Sequence, residues 1–234
     1  MAEPAPIGGR VEQVIAALQA HIRDNHLGPG DPLPSEGGFA AELGVSRPVV
    51  REAYSSLAAL KLIDIGNGRR ARVSALDRQV LGHVLDHAVI TDQISVLQIF
   101  DVRRTIEMRT VELAALRRTD SEARDIMARA QGMRAELHNH SRLMEHDIGF
   151  HEAIARASKN PMFALVVESF HMVTRQTWPI GWAVRVNEAD QLQTIALHES
   201  IAQAIIDRAP RVAAARMAEH FDGSAKVLLA AGVH

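Results

Sequence analysis

The sequence contains no cysteine and few aromatic residues. Without cysteine the chain can form neither disulfides nor thiolate metal sites, a composition that suits a reducing cytoplasm. Aromatic residues make up 4% of the chain, whereas 47% of its residues are hydrophobic. We therefore expect a large core that is packed mainly by aliphatic side chains, as in helical proteins.

Long hydrophobic segments are missing as well. No apolar run is long enough to span a bilayer, and the first ten residues lack the hydrophobic stretch that signal peptides carry. These absences predict a cytoplasmic protein with no membrane partner.

The net charge of −2 gives no indication of a nucleic-acid partner, but the distribution of charge does. Between residues 47 and 72 six basic residues stand against two acidic ones, Glu52 and Asp64. Such an excess suits a surface that neutralises phosphates, although a solvated basic face is the better explanation of a charge cluster taken alone. The basic residues are Arg47, Arg51, Lys61, Arg69, Arg70 and Arg72.

Three short helices are predicted before residue 62. Apolar residues at helical spacing favour a first helix over residues 10–25. Ser35 offers an N-cap for a second helix that ends at Gly44, where a positive φ is easily adopted. Ser46 caps a third helix, and Pro48 lies in its first turn, where a missing N–H costs nothing.

A β-hairpin is predicted directly after these helices. Apolar residues in 62–65 and an extended run over residues 70–73 flank the turn Asn67-Gly68. Three helices followed by a hairpin describe a winged helix-turn-helix, which we assign to residues 1–75.

The remaining chain, residues 76–234, predicts an all-α antiparallel helical bundle, so that the fold class is mainly α. Helix start signals and apolar periodicity mark seven segments. Trp178–Trp182, which contains Pro179 and Gly181, is predicted to be a loop. The predicted helices cover residues 77–89, 94–118, 121–138, 141–158, 161–176, 187–208 and 210–230.

The third helix has the features of a DNA-recognition helix. Arg47 and Arg51 are four residues apart and share a face, from which an arginine can bridge O6 and N7 of guanine in the major groove. Ser46 and the N–H groups of this helix end can bind a phosphate. An ordinary surface helix with local ion pairs is the alternative. The predicted wing residues, which can reach a minor groove, are Asn67, Gly68 and Arg69.

A metal site is predicted in the bundle. Asp147 and His151 lie one helical turn apart, which allows one helix to donate two ligands to one ion. His198 and His220 lie beside apolar positions on two later helices, so that one carboxylate and three imidazoles can converge. This set suits Zn²⁺, Ni²⁺ or Mn²⁺, although a single histidine on an apolar helix is more often a packed residue than a ligand.

The segment Leu33–Leu57 resembles the N-terminal domain of the GntR family of bacterial transcription regulators. The resemblance rests on its Leu-Pro-Ser-Glu and Val-Ser-Arg…Val-Arg-Glu blocks and covers roughly residues 10–75. It implies that Arg47 and Arg51 contact bases or phosphates, and that Asn67 and Gly68 form the tip of the wing.

One position departs from that family's pattern. Members usually carry an arginine directly after Ser-Glu, whereas this chain has Gly37 followed by Gly38. Each glycine weakens a short helix by about 1 kcal/mol relative to alanine, and a phosphate contact is lost. We therefore expect a weaker or altered operator footprint.

Residues 77–230 resemble the all-helical ligand-binding domain, called FCD, of the FadR-type members. The resemblance implies that Asp147, His151, His198 and His220 are metal ligands. In this domain an arginine in a D-x-R-x-x-x-E pattern faces the pocket, which implies Arg103 as an effector-binding residue. An intrahelical ion pair with Glu107 is the alternative role for this arginine.

Together these features predict a metabolite-responsive transcriptional regulator rather than an enzyme. We expect a homodimer on double-stranded operator DNA, with a divalent metal, zinc before nickel or manganese. A small carboxylate effector is expected near the metal: a sugar acid, a hydroxy acid or an amino acid. The alternatives are a metal-dependent, hydrolase-like enzyme that uses the same His/Asp site and a purely structural metal in an architectural DNA-binding protein.

Overall fold

A computed structural model of the chain describes residues 7–66, 68–185 and 187–233. The chain divides into two compact units, with the division between Val80 and Leu81. The predicted fold class is confirmed, because the described residues form eleven helices and one two-stranded hairpin. None of the described helices is long and apolar enough to cross a membrane.

The first unit has the order of elements of a winged helix-turn-helix. Ser35 Oγ accepts a hydrogen bond from the N–H of Gly38 (3.1 Å), and Gly44 ends the second helix at a φ of 66°. The strands are antiparallel, with Ile63 opposite Val73. Its elements are α1 (Ile7–Asp24), α2 (Glu36–Leu43), α3 (Arg47–Ala59), β1 (Ile63–Asp64) and β2 (Arg72–Val73).

Tyr54 fixes α3 within this unit. Its ring is buried beside Phe39, and its hydroxyl donates to the carbonyl oxygen of Pro34 (2.8 Å). Burial, together with the charges of Glu36 and Glu42, raises the pKa of Tyr54 to about 12. The hydroxyl therefore stays protonated and holds α3 to the connector before α2, which leaves the opposite face of α3 exposed.

Eight further helices follow, and most of them build one apolar core. Helix α5 packs against α7, α10 and α11, and α6 packs against α7 and α10. Buried alanines such as Ala114, Ala153 and Ala202 allow these helices to approach closely. The helices are α4 (Arg78–Ile90), α5 (Val96–Arg117), α6 (Asp120–Ala135), α7 (His140–Ala157), α8 (Pro161–Ser169), α9 (His171–Val184), α10 (Glu188–Ile206) and α11 (Pro210–Ala230).

The loop prediction for Trp178–Trp182 is wrong, because this segment lies inside α9. A proline within a helix costs about 3 kcal/mol. The two indoles stack one turn apart, with centroids 5.0 Å apart, and Trp182 is buried in the core. Burial of roughly 200 Å² of indole surface contributes about 5 kcal/mol, which exceeds the cost of Pro179.

Candidate metal centre and nucleic-acid interface

The structure brings together the four metal ligands predicted from the sequence. Asp147 and His151 come from α7, His198 from α10 and His220 from α11. One ring nitrogen from each of the three histidines lies within 4.8 Å of the others. Asp147 Oδ1 lies 2.8 Å from His198 Nε2, and all four side chains are buried.

The contacts of His198 suit a cation site. Its Nδ1 donates to the carbonyl oxygen of Thr194 (2.8 Å), which can only accept, so that Nε2 is the ring nitrogen available to a metal. This buried Nε2 lies 2.8 Å from Asp147 Oδ1. A carboxylate and an imidazole nitrogen this close together share a positive charge, which a ring proton or a bound cation can supply.

The electrostatics of Asp147 and His220 agree with a cation site. Burial raises the pKa of the Asp147 carboxyl, but the adjacent His198 and the other two imidazoles outweigh it, and the net pKa is lowered. Burial, followed by the neighbouring His198 and His151, holds the pKa of His220 well below its usual value. An ionised carboxylate and a neutral imidazole are the forms that bind metals.

Glu107 is a candidate site residue that the sequence analysis considered only as a partner for Arg103. Its Oε2 is hydrogen-bonded to His151 Nδ1. Burial raises the pKa of Glu107, but the larger effect of His151 and Arg103 gives a net decrease. The carboxylate is therefore ionised and accepts the proton of His151 Nδ1. The lone pair of His151 then lies on Nε2, the arrangement in which a carboxylate orients a metal-binding histidine.

Glu107→Gln is expected to lower the affinity for Zn²⁺ by about 10- to 100-fold, because the amide no longer increases the basicity of His151. Competition with a chromophoric chelator measures this constant. Glu112→Gln is the matched control, since Glu112 lies on the same helix and pairs with Arg109 on the surface. Equal zinc affinities for Glu107→Gln and the wild type would contradict the role of Glu107.

A cavity opens beside the four ligands, and Arg103 lines it. Arg103 Nε donates to Glu107 Oε1 (2.9 Å) and Nη1 donates to Thr174 Oγ1 (2.8 Å). Its guanidinium also lies 5.4 Å from the ring centre of Phe221. Arg103 therefore forms the intrahelical ion pair with Glu107 and also lines the cavity.

The predicted DNA-contacting residues lie on the surface of the first unit. Ser46, Arg47, Arg51, Gly68 and Arg69 are exposed, while Asn67 lies outside the described residues. Arg47 lines one polar groove with Gly68 and Arg69, which places the start of α3 beside the wing. Arg51 Nε lies 3.2 Å from Glu36 Oε2, an exposed pair of the kind that contributes little to stability.

The double glycine does not prevent α2 from forming. The space that a side chain at position 37 would enter is next to Arg47, whose Nε would lie 3.5 Å from a Cβ there. A Cβ at position 37 would therefore make an ordinary van der Waals contact with the Arg47 guanidinium. The altered operator footprint stays a prediction.

Two sequence families match the chain. The FCD domain matches residues 98–223, and the family of bacterial regulatory proteins called gntR matches residues 10–73. The chain belongs to the GntR family. As an FCD-containing GntR protein it is a DNA-binding transcription regulator and not an enzyme. The predicted family and the prediction that the protein is not an enzyme are therefore confirmed, and the hydrolase alternative is set aside.

Several GntR-type proteins are similar over most of the chain. It is 28% identical to the galactonate operon transcriptional repressor of Escherichia coli (strain K12), over 84% of this chain and 86% of that protein. It is 32% identical to the HTH-type transcriptional repressor NanR of Escherichia coli O1:K1 / APEC, over 80% and 68%. The structure of Streptococcus agalactiae GntR has the same fold (TM-score 0.69, 23% identity, 92% and 99% coverage).

Proposed function

We propose that this GntR-family protein is a repressor that releases operator DNA when a small carboxylate binds beside a divalent metal. The DNA-binding domain is residues 1–75 and the effector-binding domain is residues 76–234. The observation that carries the proposal is the cluster of three buried histidines, in which His198 Nε2 lies 2.8 Å from Asp147 Oδ1. FCD domains often bind a metal, which supports this use of the cluster.

The metal ligands in this proposal are Asp147, His151, His198 and His220. Because the set combines imidazoles with one carboxylate, zinc is the first choice, with nickel or manganese as alternatives. The bound ion would supply positive charge and a coordination position for the carboxylate of a sugar acid, hydroxy acid or amino acid. Arg103, at the wall of the same cavity, adds a second positive group for that carboxylate.

On the DNA side, Arg47 and Arg51 read bases in the major groove and Ser46 binds a phosphate at the start of α3. The wing residues Asn67, Gly68 and Arg69 follow the neighbouring minor groove. A homodimer presents two such surfaces to a pseudo-palindromic operator. The effector lowers DNA affinity because it binds the conformation with weak DNA affinity more tightly than the other conformation. The ratio of these two effector affinities limits the decrease.

A ligand screen tests this function on the zinc-loaded full-length chain. Sugar acids, hydroxy acids and amino acids are compared by thermal shift with and without EDTA, and hits are added to a complex with labelled DNA from upstream of the chain's own gene. We expect hits on zinc-loaded protein only, and an increase of roughly 5- to 150-fold in the Kd for DNA. Salt-independent or absent DNA binding would contradict the repressor, and hits that persist in EDTA would contradict the metal-linked site.

A further inference from the structure

Arg185, directly after α9, is a second arginine on the wall of the metal-side cavity. Its Nε donates to Thr194 Oγ1 (2.9 Å) and its Nη1 donates to the carbonyl oxygen of Gly181 (2.7 Å). Gln191 Nε2 in turn donates to the carbonyl oxygen of Arg185 (3.0 Å). These contacts hold the guanidinium in place before any ligand binds, which lowers the entropic cost of binding.

The charge of Arg185 is not matched by a bound carboxylate. Burial lowers its pKa, and Asp147 and Asp190 oppose this shift from a distance. Within the described ranges, however, no carboxylate forms an ion pair with Arg185, in contrast to Arg103, which pairs with Glu107. A partly buried guanidinium stays protonated, so the cavity wall carries a positive charge with hydrogen-bond donors to spare.

Trp182 provides an unused donor on the same wall. Its indole is 5% exposed, and its Nε1 is buried without an acceptor among the described residues. Buried donors without partners are rare in native structures, because each costs the desolvation of an N–H group. The ring is fixed by its stack on Trp178, so that a ligand group is the simplest partner for this N–H.

We propose that Arg185 and the Trp182 indole N–H bind a second carboxylate of the effector, which is therefore a dicarboxylic acid. This inference rests on the proposed function, in which the first carboxylate binds beside Arg103 and the metal ligands. The Arg185 guanidinium and the Trp182 indole N–H can only donate hydrogen bonds, and an ionised carboxylate can only accept them. A hydroxyl group at this position would carry a hydrogen that neither residue can accept.

Acid pairs of equal chain length test the proposal on zinc-loaded full-length protein. Malonate, succinate and glutarate are compared with propionate, butyrate and valerate by isothermal titration and by the fluorescence of the chain's two tryptophans, Trp178 and Trp182. At least one diacid is expected to bind about tenfold or more tightly than its monoacid partner, and to change the fluorescence. Arg185→Gln should abolish this preference, and Trp182→Phe should reduce it.

The matched control is Arg216→Gln, which removes the same charge from an exposed pair with Glu219 on α11 and should keep the preference for the diacid. Circular dichroism and zinc content establish that each variant is folded and loaded. Equal binding of mono- and diacids, or a preference that survives Arg185→Gln, overturns the dicarboxylate inference and leaves the proposed function standing. If no acid of either kind binds the zinc-loaded protein, the proposed carboxylate site fails as well.

Discussion

Replacing His198 by alanine is expected to remove most of the bound zinc and the stability that zinc confers. His198 is the proposed ligand whose Nε2 lies 2.8 Å from Asp147 Oδ1, and it belongs to the cluster of three histidines. Loss of a direct ligand should exceed the 10- to 100-fold effect typical of residues that only orient ligands, so we expect a decrease in zinc affinity of more than roughly 100-fold. Elemental analysis after dialysis measures the metal, and thermal unfolding with and without EDTA measures the stability.

The variant also leaves a space in the core, which lowers the stability of the metal-free protein by itself. The diagnostic quantity is therefore the difference in Tm between zinc-loaded and EDTA-treated samples of each protein, because a ligand that binds the native state raises Tm. This difference should disappear in His198→Ala and persist in His138→Ala, where the histidine is exposed. A His198→Ala protein that retains the wild-type zinc content would refute the metal site.

Local signals explain why much of the fold was predictable. Ser35 and Gly44 mark the ends of α2 in the sequence, because capping and positive φ depend on one or two residues. The stacked Trp178 and Trp182 carry no such signal. Their burial decides the conformation of α9 against the local preference of Pro179, and that burial depends on helices far along the chain.

The candidate metal site also combines residues with local sequence signals and residues that are joined only by long-range contacts. Asp147 and His151 share a helical face, and His198 and His220 lie beside apolar positions on later helices, so the residue pattern proposed all four ligands and the resemblance to a known domain supported them. Glu107 was visible only as a partner for Arg103, since its contact with His151 spans 44 residues. Arg185 was missed because the preceding segment was predicted to be a loop.

Contacts between elements were equally invisible in the DNA-binding unit. The pairing of Arg51 with Glu36 and the hydrogen bond from Tyr54 to Pro34 join residues 15 and 20 positions apart. The sequence placed Arg47 and Arg51 on one exposed face. The structure adds that the two arginines have different partners in the absence of DNA. Arg47 lies beside Gly37, whereas Arg51 is already bound to a carboxylate.

This difference predicts unequal losses in DNA affinity. An arginine that bridges a guanine contributes about 1–3 kcal/mol to discrimination, and 1.4 kcal/mol corresponds to a tenfold change in Kd. Arg47→Ala is therefore expected to weaken operator binding by about 10- to 100-fold. Arg51→Ala should cause a smaller loss, because Arg51 gives up its ion pair with Glu36 when it binds a base.

Fluorescence anisotropy on operator and scrambled DNA, at two salt concentrations, measures these losses. Both substitutions should act more strongly on operator than on scrambled DNA, because a base contact carries sequence information and a phosphate contact does not. Arg109→Ala, an exposed arginine of the second unit, is the control and should bind as the wild type does. Equal losses on both DNAs, with a decreased salt dependence, would instead assign Arg47 and Arg51 to the phosphate backbone. Unchanged operator affinity with an intact helical circular dichroism spectrum would remove them from the interface altogether.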